Sequence, residues 1–312
     1  VADITPKCAV HLCGYVGEAR KYTAKGIHDH PLAVSLLLEI DGVRLLFISI
    51  DVITLGGEKA AVIKDKIQKI LTIENDHIII SSIHTHSGAN GLDDMTVFGT
   101  PDNPEYFAYV CEQITDSIQH LEQQLCEVQA YITTGKVHGY YSKRTDKHLP
   151  FEDHAAIITF IHGDTVVAAM CNFNCHATVL GVENMLVSSD LVGKVRSLMK
   201  EDLGVTRASG DISNRQYRQG NDFAELDRVG SGIAEILRNM GPYEKLGLHH
   251  VQTVSYDHTV SYDNTWYFKE YQKGIRDAEE VLSRKNISLD EWKLATSEKT
   301  LLEKKLQCEK VE

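Results

Sequence analysis

Residues 77–88 read HIIISSIHTHSG, an apolar run that stops on His84-Thr85-His86-Ser87-Gly88. The run His77–Ile83 reads as a buried strand. A strand that ends by presenting imidazoles sets metal ligands or acid/base groups at the edge of a sheet. In extended chain a His-x-His pair turns both rings to one side, because side chains alternate with period two. The competing reading is a pair of surface or capping histidines, and the rest of the chain decides between them.

Outward from that stretch, the pattern is of strands and helices in alternation. Towards the N-terminus, Ala33–Ile40 and Val43–Ile50 are apolar runs split by Asp41-Gly42, a strong short hairpin signal. Between this hairpin and His77, Ile63, Ile67, Ile70 and Leu71 recur at helical spacing. Beyond Gly88 come a glycine- and aspartate-rich loop to residue 102 and a helix opened by Pro104 and capped by Asn103. Its expected stripe is Phe107, Val110, Ile114, Ile118, Leu121 and Leu125. Strands are expected at 128–134 and, as a second hairpin around His162-Gly163-Asp164, at 154–161 and 165–174. Helices are expected through Leu191–Met199, stopped by Gly204, and through Phe223–Leu237, followed by a strand at 251–260. The tail is charged and helical, with a capping box at Ser288 and Glu291. The fold class expected is α/β, with mixed sheets containing hairpins, flanked by helices, and a site at the C-terminal strand ends. The expected division is a domain over 1–260 and a helical extension over 261–312.

Composition narrows the partners. A formal net charge of −12 argues against nucleic acid and against a polybasic membrane contact. No apolar run is long enough to cross a bilayer. Seven cysteines, an odd number without framework spacing, suit reduced thiols, and with no basic and apolar leader in view the expected location is cytoplasmic, or secreted if a leader has been trimmed.

Asp51, His84 and His176 each lie at or just beyond the C-terminal end of an apolar strand, and Ser213 follows another short segment. Polar groups at equivalent strand ends can converge on one crevice, where open α/β sheets place their sites. Two neutral imidazoles with one or two oxygen ligands and an open position form the pattern of catalytic zinc. His84 and His176 are the natural ligands, with His86 beside the metal to carry a proton or orient a substrate. A core histidine bonded to backbone is the plainer reading of His176. Cys171 and Cys175, flanking a strand end beside His176, are an alternative ligand pair of unusual spacing. Gly210-Asp211-Ile212-Ser213 is not a nucleophile elbow. Arg144 is either a solvated loop arginine or a clamp on a substrate oxygen. Asp190 is either a residue starting a helix or a partner of His176.

The order of Asp3-Ile-Thr-Pro6, Gly14-Tyr15, His84-Thr-His-Ser-Gly88, Arg144, Asn172-Phe-Asn-Cys-His176, Ser188-Ser-Asp190 and Gly210-Asp-Ile-Ser-Asn214 resembles the N-terminal domain of the neutral/alkaline non-lysosomal ceramidases. The likeness runs over about residues 1–240. It implies a zinc-dependent amidase in which a zinc-activated water cuts an N-acyl amide bond of a lipid-like, sphingolipid-type small molecule. It also implies His84 and His176 as zinc ligands, His86 and Arg144 as substrate contacts, and Ser213 beside the bound amide. The family completes its zinc shell with a Glu in a Pro-Gly-Glu segment and a Tyr. The 312 residues hold no Pro-Gly-Glu and carry Ala89 and Ala177 where the family has proline, and the expectation is of a short homologue or of a chain truncated before the family's long C-terminal part. His28, Asp29, Tyr256, Asp257, His258 and Tyr262 are candidates to stand in for the missing ligands. The alternatives to an amidase are an esterase or lactonase at the same metal, or a non-catalytic binder of a small ligand.

Overall fold

The structure, a computed structural model, describes residues 1–15, 18–93, 101–199, 206–207, 212–248, 251 and 268–308. Its strands run in chain order β1 (Ala2–Asp3), β2 (Gly26–Ile27), β3 (Leu32–Ile40), β4 (Val43–Ile50), β5 (Ile78–Ser82), β6 (Gln129–Lys136), β7 (Ser142–Lys143), β8 (His154–His162), β9 (Thr165–Phe173), β10 (Leu186–Val187), β11 (Thr206–Arg207), β12 (Ile212–Ser213) and β13 (Glu244–Leu246). The helices are α1 (Gly57–Gln68), α2 (Pro104–Ile118), α3 (Asp190–Met199), α4 (Phe223–Arg238), α5 (Phe268–Leu282) and α6 (Leu289–Cys308).

The first sheet has the order β1-β3-β4-β5. Asp41 and Gly42, at φ 50° and 80°, make the left-handed turn that matches the twist of the β3–β4 hairpin. β5 then joins β4 in parallel, with Ile50 opposite Ser82, after the crossover that parallel pairing requires and α1 supplies. Parallel register brings the C-terminal ends of β4 and β5 to one edge, so Asp51 and His84 leave the sheet side by side. Asn103 caps α2 by accepting a bond from the Tyr106 amide at 3.0 Å. α1 and α2 bury Ile63, Ile67, Tyr106, Val110 and Ile114 against Leu46, Ile48 and Ile50. Each such aliphatic side chain removed from water contributes roughly 1.5–3 kcal/mol.

The second sheet has the order β11-β9-β8-β6-β13. Gly163 at φ 58° turns the β8–β9 hairpin, and α3 and α4 bury Leu191, Val195, Val229 and Ile233 against Ile157, Cys171 and Phe173. The two cores interlock at a seam: Ile83, from the first sheet's strand end, packs in the second core, and Val187 packs in the first. Across the seam runs a buried ion pair. Arg196 of α3 donates both Nη atoms to the Asp51 carboxylate, which also accepts from Ser189 Oγ at 2.6 Å and the Leu32 amide at 2.9 Å. α5 and α6 pack on one another, and Ser288 and Glu291 form the expected capping box.

The mixed α/β class, both hairpins and the placing of polar groups at strand ends match the sequence expectation. Three details differ. β5 is the edge strand of its sheet and is only partly covered, with Ile78 buried and Ile79 exposed. The stripe of α2 ends at Ile118, where the helix stops, so Leu121 is half-buried and Leu125 exposed. Asp51 does not face a crevice: Arg196, Ser189 and the Leu32 amide occupy its carboxylate in the seam. The stop at Gly204, the loop at 94–100 and the strand expected at 251–260 lie wholly or largely outside the described residues.

Candidate metal centre

His84 leaves β5 through a backbone at φ 62°, the left-handed region that costs a non-glycine residue about 1–3 kcal/mol and marks functional turns. The bend is held by β4, since the Ile83 amide donates to Ile50 O at 3.0 Å and the His84 amide to Val52 O at 3.0 Å. The His84 Nδ1 lies 2.7 Å from Ile53 O. A carbonyl can only accept, so Nδ1 carries the proton and Nε2 presents a bare lone pair.

The turn then folds back. Gly88 fits tightly there, since a Cβ would stand 3.3 Å from both Asp51 O and Val52 Cα and 3.0 Å from Thr85 Cγ2. Thr85 Oγ1 donates to Ser188 O at 2.9 Å, the Ser188 amide to Ser87 O at 3.0 Å, and the His86 amide to Ala177 O at 3.4 Å. The His86 ring, 8% exposed, is wedged between Tyr15, edge-on at 4.8 Å, and Gly14. At Gly14, φ 110°, a Cβ would sit 2.5 Å from His86 Cγ. Burial, then the neighbouring His176 and His84, then Arg20 and Arg144, push the His86 imidazolium down to about 3, so the ring is neutral at physiological pH.

His176 follows β9, its amide bonded to Ile212 O at 2.8 Å. The loop after it is gripped by side chains from four directions. Arg218 donates to Thr178 O, Tyr15 to Leu180 O, and Arg20 to Gly181 O and Val182 O, at 2.7–3.2 Å. Arg20 also donates to His86 O at 3.0 Å, which ties the two histidine segments together. The Asp190 carboxylate, on a residue at φ 51°, accepts from the amides of Val179, Leu180 and Leu191. Complete burial outweighs those three amides and raises Asp190 to about 7.

The structure therefore brings His84, His86 and His176 together. The His86 Nε2 lies 3.0 Å from His176 Nε2 and 3.4 Å from His84 Nε2, and ring centroids stand 4.4–5.0 Å apart, so the nitrogens face inward. Ser213 pairs with Ser142 across β12 and β7 and bridges to His176, with its Oγ accepting from the Arg215 amide at 3.3 Å. Arg144 follows two residues after Ser142, its carbonyl taking a bond from Gln216 Nε2 at 3.1 Å, and its charge is felt at His86. Asp190 serves the His176 loop and the start of α3 at once. Cys171 and Cys175 stand apart from the cluster as buried thiols whose pKa burial raises, the wrong state for a ligand. His28 stacks on Phe223 at 3.7 Å and Asp29 accepts from Ser188 and Ser189, so both are committed elsewhere. Tyr256, Asp257, His258 and Tyr262 lie outside the described residues.

Sequence reading missed Arg20, Arg218 and Arg196. Arg196 carried a signal: it is four residues after Val192 on an apolar face, where a charge needs a buried partner. Arg20 and Arg218 carried none, since both look like ordinary loop arginines.

Neutral imidazole nitrogens suit a borderline-soft divalent ion such as zinc, and the His84 Nδ1–H···O=C bond is the usual orienting partner of a ligating histidine. Among the described residues, the three histidines fit a metal. A sequence model described as neutral/alkaline non-lysosomal ceramidase, N-terminal, matches residues 1–215. The chain belongs to that ceramidase family. A neutral ceramidase of Drosophila melanogaster is 27% identical to this ceramidase-family chain over 232 residues, covering 67% of it and 32% of the fly protein. Two solved structures share the fold: a ceramidase complexed with C2, at TM-score 0.68 and 18% identity, and the neutral ceramidase of Pseudomonas aeruginosa, at 0.66 and 19%. Each covers 77% of the chain, which spans 42% and 43% of their lengths. The chain thus corresponds to less than half of each of these relatives.

Proposed function

We propose that this ceramidase-family chain is a zinc-dependent hydrolase of an N-acyl amide bond in a lipid-like small molecule. The observation that carries the reading is the convergence of three imidazole Nε2 atoms at the strand ends, on residues inside the family match. His84 and His176 would hold the ion, supplied from the strand ends of the two different sheets. Zinc bound there would polarise an amide carbonyl and lower the pKa of a water to about 7.

The chain's own residues do the rest. The neutral, buried His86, beside both proposed ligands, would contact the substrate or carry a proton. Arg144, on the loop after β7 and near enough for its charge to act on His86, would donate to the oxygen on which negative charge develops. Ser213, locked beside His176 by the β7–β12 pair, forms the wall against which the amide rests. The catalytic unit would be residues 1–260, with 261–312 as a helical extension.

Metal analysis of the purified chain is expected to give about one zinc, as a single catalytic site requires, and His84→Ala to abolish it. Fluorogenic N-acyl amides tested against matched esters then divide the chemistries. Cleavage of esters alone would replace the amidase reading with an esterase, and zinc binding without turnover of either would leave a ligand-binding protein. A chain that takes up no zinc would sink the metal reading.

A further inference from the structure

We infer that Glu152, Asp153 and His154 form a second divalent-cation site, apart from the three-histidine cluster, with His138 orienting the Asp153 carboxylate and Lys136 holding the place of the ion. The occupant that one imidazole and two carboxylates fit is a borderline cation of the zinc class. None of these five residues takes part in the zinc reading above, so the two stand or fall apart.

Strand pairing assembles the site. β8 opens at His154 directly opposite Lys136, the last residue of β6, and His138 follows two residues later. Both reach Asp153: Lys136 Nζ lies 3.3 Å from Oδ1 and His138 Nδ1 3.2 Å from Oδ2. The segment is pinned at three points. The Val137 amide donates to Asp153 O at 2.9 Å, Asn174 Nδ2 to Glu152 O at 3.3 Å, and the His154 amide to Glu152 Oε1 at 3.0 Å. Asp153 is buried, while Glu152, His154, His138 and Lys136 are exposed, so an ion from solvent can reach the cluster.

The crowding of acceptors is what points to an ion. His154 Nδ1 has one proton to give, and two carboxylates compete for it, Glu152 Oε1 within hydrogen-bond reach and Asp153 Oδ1 at 3.7 Å. One ligating atom from each of the three residues lies within 4.8 Å of the others. With zinc bonds of about 2.0–2.2 Å in tetrahedral geometry, neighbouring ligand atoms stand roughly 3.3–3.6 Å apart, so the 3.7 Å edge is already near that of a bound ion. The cluster also sets two carboxylates against a single lysine, a charge that a divalent cation makes up. When the ion binds, the Nδ1 proton moves to Nε2 and Nδ1 turns its lone pair to the metal. His138, holding the other oxygen of Asp153, is the kind of partner that orients a ligating carboxylate. Lys136, on its flexible exposed stem, must swing aside, which makes this site a weak one that dialysis empties.

The test titrates zinc alone into the 312-residue chain. Calorimetry is expected to show one weak equivalent, in the micromolar range, that His84→Ala retains and His154→Gln loses. Glu152→Gln should weaken it at least about tenfold, since losing one of so few ligands costs no less than losing an orienting partner. Lys136→Met should strengthen it about tenfold at low salt, because the resident positive charge is gone. That change separates a cation site from a plain salt-bridge network, which the loss of Lys136 would only damage. Glu152, His154 and Lys136 are exposed, so these three variants leave the cores intact. An equivalent that His154→Gln keeps, or that Lys136→Met weakens, would overturn the site, as would the absence of any weak equivalent in the parent. Should the parent hold no tight zinc and still bind the weak equivalent, the strand-end reading falls and this one stands.

Discussion

His84 is held by main-chain groups of its own sheet: the carbonyls of Ile50, Val52 and Ile53 bend it out of β5 and fix its ring. His176 is held by side chains that arrive from far along the chain, with Tyr15, Arg20, Asp190 and Arg218 gripping the loop behind it. The first arm is rigid because a parallel strand pair is rigid, while the second is rigid only while its charged clasp is complete. The comparison teaches that one site can be half scaffold and half lock, and that the halves should fail differently.

The sharpest break is at the footing of the His84 arm. Asp51→Ala leaves the buried Arg196 guanidinium unpaired, and stability should fall by about 3–5 kcal/mol in chemical denaturation. Asp51→Leu combined with Arg196→Met should recover much of that loss, because the seam then closes on apolar contacts. On the other arm, Arg20→Gln removes the tie between His86 and the 181–182 carbonyls. Zinc affinity in calorimetric titration should drop about 10–100-fold with far-ultraviolet circular dichroism unchanged. An unchanged affinity would show the clasp to be packing alone.

Acid tests the point where the arms meet. Because His86 holds its proton far less readily in the fold than in the unfolded chain, the unfolded state takes up the proton first as pH falls. Its contribution is therefore intact above about 6.5 and lost below it, by about 2 kcal/mol between pH 7 and 5 in the metal-free protein. The same titration on His86→Gln should be flatter by that amount. The smallest effect is expected away from both arms. Asn103→Ala removes the α2 cap at a cost of about 1 kcal/mol, and zinc affinity should not change.

What could be read from the sequence follows the same division. The hairpins turn on Asp41-Gly42 and Gly163, the α2 start on Asn103-Pro104, and the His84 strand on an apolar run, all local signals that survive in one dimension. The meeting of His84 with His176 was legible too, because both follow apolar strands. Hidden from it was everything made by pairing across the chain. Asp51 looked like a site residue because its partner Arg196 lies far away in sequence, and Arg20 looked like a surface charge because its three carbonyl acceptors are contributed by distant turns. His86 and His84 look equivalent as letters, and only the cage of Gly14 and Tyr15 sets them apart.

The Asp51–Arg196 pair also bears on how the protein is made. Its two halves are 145 residues apart, so the first sheet emerges from the ribosome long before the arginine that seals it. Until α3 is synthesised, the growing chain carries an unneutralised carboxylate at a sheet edge and leaves Ile83 with no core to enter. Such an intermediate is the kind that chaperones bind and that aggregates when overproduced. A nascent chain arrested before residue 196 should therefore remain protease-sensitive around Asp51, and one arrested after α3 has cleared the exit tunnel should not.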